Sequence, residues 1–189
     1  MSRSYRVSVK ESETRVLRAA DRVSTCLEII EVLPPEQIAG LLKDELKKRG
    51  FLAEGDKLVR REKGVTVAVD PATATVTVSA EAAQHVSLES ERTGSAYDDD
   101  GSSATQVRAG LKKEAKQDLD RKALEKTAEL QTKVTDKLEA RLGDVRKEMD
   151  EVVNRVTAEA LKRKAASMGQ IKEMTEDPQA GSLTIVVEV

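Results

Sequence analysis

One pattern dominates the chain. Apolar or small residues recur at Leu111, Ala115, Leu119, Ala123, Leu130, Val134, Leu138, Leu142, Val145, Met149, Val152, Val156 and Ala160. They lie in a stretch from Ala104 to Ala166 that has neither proline nor an aromatic side chain, and that predicts a continuous helix of about sixty residues. With Thr127 filling the single gap, the mean step is about 3.8 residues, longer than the 3.5 of a left-handed coiled coil, so a leucine zipper is not expected. Up to Leu142 the stripe is narrow; from Val145 onward Val152, Val153, Val156, Ala160 and Leu161 widen it. A broad apolar face suits docking on a sheet and a narrow one suits a partner helix. The expectation is that the second half packs on a β-layer while the first half projects or pairs.

The flanks read as β-structure. Tyr5, Val7 and Val9 alternate with polar residues, the period of a half-buried strand, and a second strand is expected from Val23 to Leu33. Pro34 and Pro35 then start a short helix with Ile38, Leu41, Leu42 and Leu46 on one stripe, basic residues in its last turn and Gly50 as its stop. Lys57 to Arg61 reads as a short strand. Val65, Val67 and Val69, then Val76, Val78 and Ala80 around Asp70-Pro71-Ala72-Thr73, read as an antiparallel hairpin with one dry face. His85 to Ser90 adds a candidate strand. Residues 92–103, rich in Thr, Gly, Ser and Asp, have the composition of a flexible linker. A second hairpin is expected from Gln170 to Glu176 and Leu183 to Val189 around Asp177-Pro178-Gln179-Ala180-Gly181.

This gives an α+β chain in four parts: 1–91 with a hairpin at 65–80, a linker at 92–103, a helical arm at 104–168 and a C-terminal hairpin at 169–189 returning to the β-layer. At about 1.5 Å per residue, an unbroken arm would part the two hairpins by about 90 Å. A dozen linker residues span at most about 40 Å, so the hairpins share a sheet only if the helix folds back. Gly143-Asp144 offers a stop followed by an N-cap, yet the stripe crosses it in phase, and both outcomes stay open.

Composition narrows the function. With 32 Lys+Arg against 34 Asp+Glu, no overall field draws the chain to nucleic acid or anionic lipid. Three aromatic residues and no Trp leave a core of Val, Leu, Ile and Ala, and nothing to stack on bases beside the basic clusters Lys47 to Arg49, Arg60 with Arg61, Lys112 with Lys113, and Lys162 to Lys164. A single cysteine permits no intrachain disulfide, and no apolar run reaches the roughly 18 residues of a membrane span, so a cytoplasmic location is the expectation.

Reactive constellations are sparse. His85 is the sole histidine and has no second ligand with which to build a zinc site; Cys26 is expected in a buried strand as an inert thiol. The run Asp98 to Gly101 lacks the alternating ligands and closing Glu of a calcium loop, and no phosphate-binding glycine motif is present. No cofactor, metal or small-molecule substrate is implied.

Ser4-Tyr5-Arg6-Val7, the segment Leu27 to Gln37, and Ile171-Lys172-Glu173 through Asp177-Pro178 to Leu183-Thr184-Ile185 resemble small bacterial accessory proteins. Those proteins belong to ternary systems that combine an FtsH-type membrane AAA+ protease, a MoxR-type ATPase and von Willebrand factor A proteins. The resemblance implies a non-catalytic partner of a larger ATP-driven assembly. The residues themselves favour a non-enzymatic interaction module, with Leu111, Leu119, Leu130, Val134 and Leu138 as the stripe that meets a protein partner or a second copy. A carboxylate- or metal-dependent enzyme and an electrostatic nucleic-acid binder are the alternatives.

Overall fold

The computed structural model describes residues 4–97, 101–177 and 182–188. Among these residues seven strands and two helices follow in the order β1 (Ser4–Cys26), α1 (Pro35–Lys48), β2 (Leu52–Glu54), β3 (Lys57–Glu62), β4 (Val65–Asp70), β5 (Thr75–Tyr97), α2 (Gly101–Met168), β6 (Gln170–Asp177) and β7 (Ser182–Glu188). Strands β1 to β5 form one sheet in the order β1-β5-β4-β3-β2, and β6 pairs with β7 in a second. The fold is α+β with antiparallel hairpins, as the pattern of strands predicts.

The chain divides into two compact units, one of residues 1–21 and 81–136, the other of 22–80 and 137–189. In the second unit the Val-rich hairpin holds its expected register: Val65 faces Ala80, Val67 faces Val78 and Val69 faces Val76. All six side chains are buried. Local chemistry sets the turns. The Asp70 carboxylate accepts hydrogen bonds from the backbone amides of Ala72 (3.0 Å) and Thr73 (3.4 Å), an Asx turn that reverses the chain. Lys63 and Gly64 both adopt positive φ, at 51° and 73°, the twist a two-residue hairpin between β3 and β4 requires.

Helix α1 starts at Pro35, where a missing amide costs nothing, and stops where Gly50 takes φ 83° and donates to the Lys47 carbonyl. Its stripe Ile38, Leu41, Leu42 and Leu46 is buried, and Leu42, Leu46, Phe51, Val69, Val76, Leu138, Val152 and Val156 are the largest fully enclosed side chains of this unit.

In the first unit, β1 and β5 run side by side in opposite directions. Ser8 hydrogen-bonds Glu91 while Lys10 pairs with Glu89. Both strands are far longer than the sequence pattern suggests: each covers 23 residues. Their inner rows are odd-numbered in β1 and even-numbered in β5, with Val7, Leu17, Ala19, Leu88, Ser90 and Ala96 buried. Val7, Ala96 and Leu111 close a small core, joined by Val9, Ala104 and Val107. Gly94 permits this approach, because a Cβ there would lie 3.3 Å from a Leu111 methyl.

Three expectations are revised. The strand expected from Val23 to Leu33 ends at Cys26, since β5 begins at Thr75 and the Leu27 amide already donates to Ala74 at the turn. Beyond that point no partner strand remains among the described residues, and Ile29 and Val32 close tight local turns instead. The linker expected at 92–103 is strand to Tyr97 and helix from Gly101; Asp98 to Asp100 lie outside the described residues. The helix passes through Gly143 without interruption, and the C-terminal hairpin forms its own two-stranded sheet rather than returning to the larger one. Its turn at Pro178 to Gly181 lies outside the described residues.

At the start of that hairpin, Gly169 has no room for a side chain: a Cβ would sit 2.1 Å from the Glu188 carbonyl oxygen. Gly169→Ala is therefore expected to separate the ends of β6 and β7, read as faster amide hydrogen exchange in both strands with protection elsewhere unchanged.

Candidate functional site

The five residues expected to meet a partner are all enclosed by the chain itself. Leu111, Leu119, Leu130 and Val134 in the first unit and Leu138 in the second are 8%, 3%, 7%, 2% and 1% exposed. The first half of α2 does not project. It lies along the inner row of β1 and β5, just as the second half lies in the core of its own unit.

What the sequence pattern concealed is a set of polar contacts that accompany the apolar stripe. In the first unit Lys112 pairs with Glu11 at 3.6 Å, Arg15 donates to Asp120 at 2.6 Å, Gln131 donates to the Ala20 carbonyl at 3.3 Å and Thr135 donates to Asp21 at 2.8 Å. The centre of the set is Asp118, a carboxylate 8% exposed. It accepts from the Ser90 hydroxyl at 2.9 Å and is flanked by Arg92 at 3.1 Å, Arg121 at 2.5 Å and Lys122 at 3.2 Å. Arg121 first, then Ser90, hold its carboxyl well below the usual carboxylate range. Arg92, Glu114, Gln117, Asp118 and Arg121 line a shallow cleft at this point.

A carboxyl whose folded pKa is depressed contributes stability above its unfolded value, near 3.8, and loses that contribution as the pH falls through the folded pKa. Asp118→Asn is therefore expected to be less stable than the parent at neutral pH, with the difference shrinking below about pH 4. Urea unfolding between pH 7 and pH 2 measures it; a difference that stays constant with pH would exclude an ionised role.

The second unit carries another network. Arg60 on β3 sits 4.6 Å over the Phe51 ring and donates to both Glu148 carboxylate oxygens, at 2.7 and 2.5 Å, and to the Arg49 carbonyl at 3.1 Å. The Glu148 partnership raises the Arg60 pKa. Arg49 in turn reaches Glu45 at 3.3 Å and Glu151 at 3.1 Å, and Arg155 lies 3.7 Å from Glu45. All four basic clusters considered for nucleic acid are thus partly engaged: Arg49 as above, Arg60 with Glu148, Arg61 with Glu54, Lys112 with Glu11 and Arg163 with Glu159. Arg49 with Glu151, Arg60 with Glu148 and Arg61 with Glu54 each bind one element of the second unit to another.

His85 lies on the exposed face of β5. Cys26, expected in a buried strand, is exposed at the end of β1, its Sγ 3.8 Å from the Thr75 hydroxyl. It is exposed for the same reason that the strand stops there: the sheet has no further rung to cover it. Among the described residues no group of three His, Cys, Asp or Glu side chains gathers to hold a metal ion. Nor is any helix among them long and apolar enough to cross a membrane.

In each unit antiparallel strands pack with part of a long helix and share ion pairs with it, which defines an α+β protein. Within that class the chain belongs to the FtsH ternary system domain X5 family, matched over residues 1–189. No curated protein and no solved structure matches it. The family agrees with the resemblance carried by the two ends of the sequence and extends it to the whole chain.

Proposed function

We propose that this protein is a non-enzymatic accessory component of an FtsH ternary system, acting through contact with other proteins. The observation that carries the reading is the family itself, matched along the full length. The chemistry of the chain supports it: the carboxylates with depressed pKa values, Asp118, Glu13, Glu54, Glu89 and Glu129, each have a cationic partner, an arrangement of structural pairs rather than of a general acid awaiting substrate.

The long helix enters this reading differently from the sequence-based expectation. Its apolar stripe is spent on the sheet, so the arm offers a partner its charged outer face, with exposed positions such as Leu124 at 71%. Affinity purification from the native host followed by mass spectrometry tests the proposal. Recovery of the AAA+ protease, the ATPase or a von Willebrand factor A protein is the expected result. A preparation that recovers none of them and turns over a small-molecule substrate would overturn it.

A further inference from the structure

β1 closes one end of the five-stranded order, and its one neighbour there is β5. β4 pairs with β5 only as far as Ala80. From Glu81 to Tyr97, therefore, β5 has β1 on one side and, among the described residues, no strand on the other. The first unit thus presents two long strand edges, residues 4–21 and 81–97, of nearly equal length. Unpaired backbone amides and carbonyls along such an edge are a template for another strand.

The exposed rows on these strands have opposite charge. On β1 the outer row carries Arg6, Lys10 and Arg18 with no acid; on β5 it carries Glu81, Glu89 and Glu91 with no Lys or Arg. Within the chain the two rows already complement each other, Lys10 meeting Glu89 at 2.8 Å. Edge pairing between copies can follow three routes. Joining β1 to β1 sets the row of Arg6, Lys10 and Arg18 beside the same row of the other copy, and joining β5 to β5 does the same with Glu81, Glu89 and Glu91. Like charges directly opposite destabilise a strand pair. Only β1 against β5 repeats the favourable order.

We propose that the free edge of β1 takes residues 81–97 of β5 from a second copy of this chain, extending the sheet from molecule to molecule. This rests on the edges and their charges and stands apart from the accessory reading. Such an interface is head-to-tail: each copy that joins leaves one edge of each kind unused, so assembly proceeds to a closed ring or an open filament and does not stop at a two-fold dimer.

Sedimentation velocity of the full chain over a range of concentration and salt tests it. Species larger than a dimer that dissociate as salt screens the rows are expected. A dimer as end point would overturn the head-to-tail arrangement. Successive residues of a strand direct their amides to opposite edges, so of Ser12→Pro and Glu13→Pro one removes a donor from the free edge and leaves the β1–β5 ladder intact. That variant, recognised by parental melting, is expected to be monomeric; retained assembly would overturn the proposal. Hydrogen exchange on the unaltered protein gives an independent reading, with amides of residues 4–21 and 81–97 expected to gain protection as concentration rises. A monomer throughout, with no such gain, would assign these edges to a strand of another protein or to none.

Discussion

Leu138→Ala is expected to lower the unfolding free energy by about 2–5 kcal/mol, and Leu138→Asp to leave the second unit unfolded. The side chain is 1% exposed and ranks among the largest that the chain encloses fully. Truncation removes the transfer energy of the lost methyl groups and leaves a cavity beside a helix that cannot shift without breaking its ion pairs to the sheet. Leu124→Ala is the control: at 71% exposure its loss should register within about 0.5 kcal/mol. Urea denaturation followed by circular dichroism separates the two. A Leu138→Asp protein that stayed folded and merely lost a partner would restore the sequence-based view of this stripe as an intermolecular contact.

Gly143 should give opposite signs with two substitutions. It lies inside α2, and a Cβ built on it meets nothing within 4 Å. Gly143→Ala is then expected to stabilise by about 0.5–1 kcal/mol, because alanine loses less backbone freedom in a helix than glycine. Gly143→Pro removes one amide from the ladder and drives a ring against the carbonyl four residues earlier, at a cost of about 3 kcal/mol or more. If proline proved neutral and alanine destabilising in thermal melts, the helix would be broken there in solution.

The elements legible in the sequence are those where one physical signal suffices. Pro35, the stripe Ile38 to Leu46 and Gly50 define α1 without reference to anything else, and Val65 to Ala80 alternates so strictly that its register could be written down. The inner rows of β1 and β5 are different. Glu11, Glu13 and Arg15 interrupt the alternation that Val7 and Val9 begin, and Gln84, Ser90 and Arg92 interrupt that of β5. Two of these interruptions are half of a contact whose other half lies more than a hundred residues away, Arg15 with Asp120 and Glu11 with Lys112. Periodicity marks which side of a helix is dry; it does not say what dries it. Hence the stripe at Leu111 to Leu138 was visible while its cover, a ribbon studded with charge, was not.

The candidate site shows the same limit. Asp118 and Lys122 stand four residues apart on α2, a spacing that pairs opposite charges on one helix face, and the structure places them 3.2 Å apart. Its burial under Ser90 and Arg92 depends on β5 continuing to Tyr97, well past the strand expected at His85 to Ser90.

The path of the chain through the two units has a consequence for synthesis. The first unit is made of residues 1–21 and 81–136, and Ser8 must find Glu91 while Arg15 must find Asp120. On the ribosome, the opening strand emerges long before its partner has been translated, and the helix that covers both comes later still. Residues 22–80 complete their hairpins in the interval. Pairings this remote in sequence close slowly, so the nascent chain spends its longest wait with β1 uncovered.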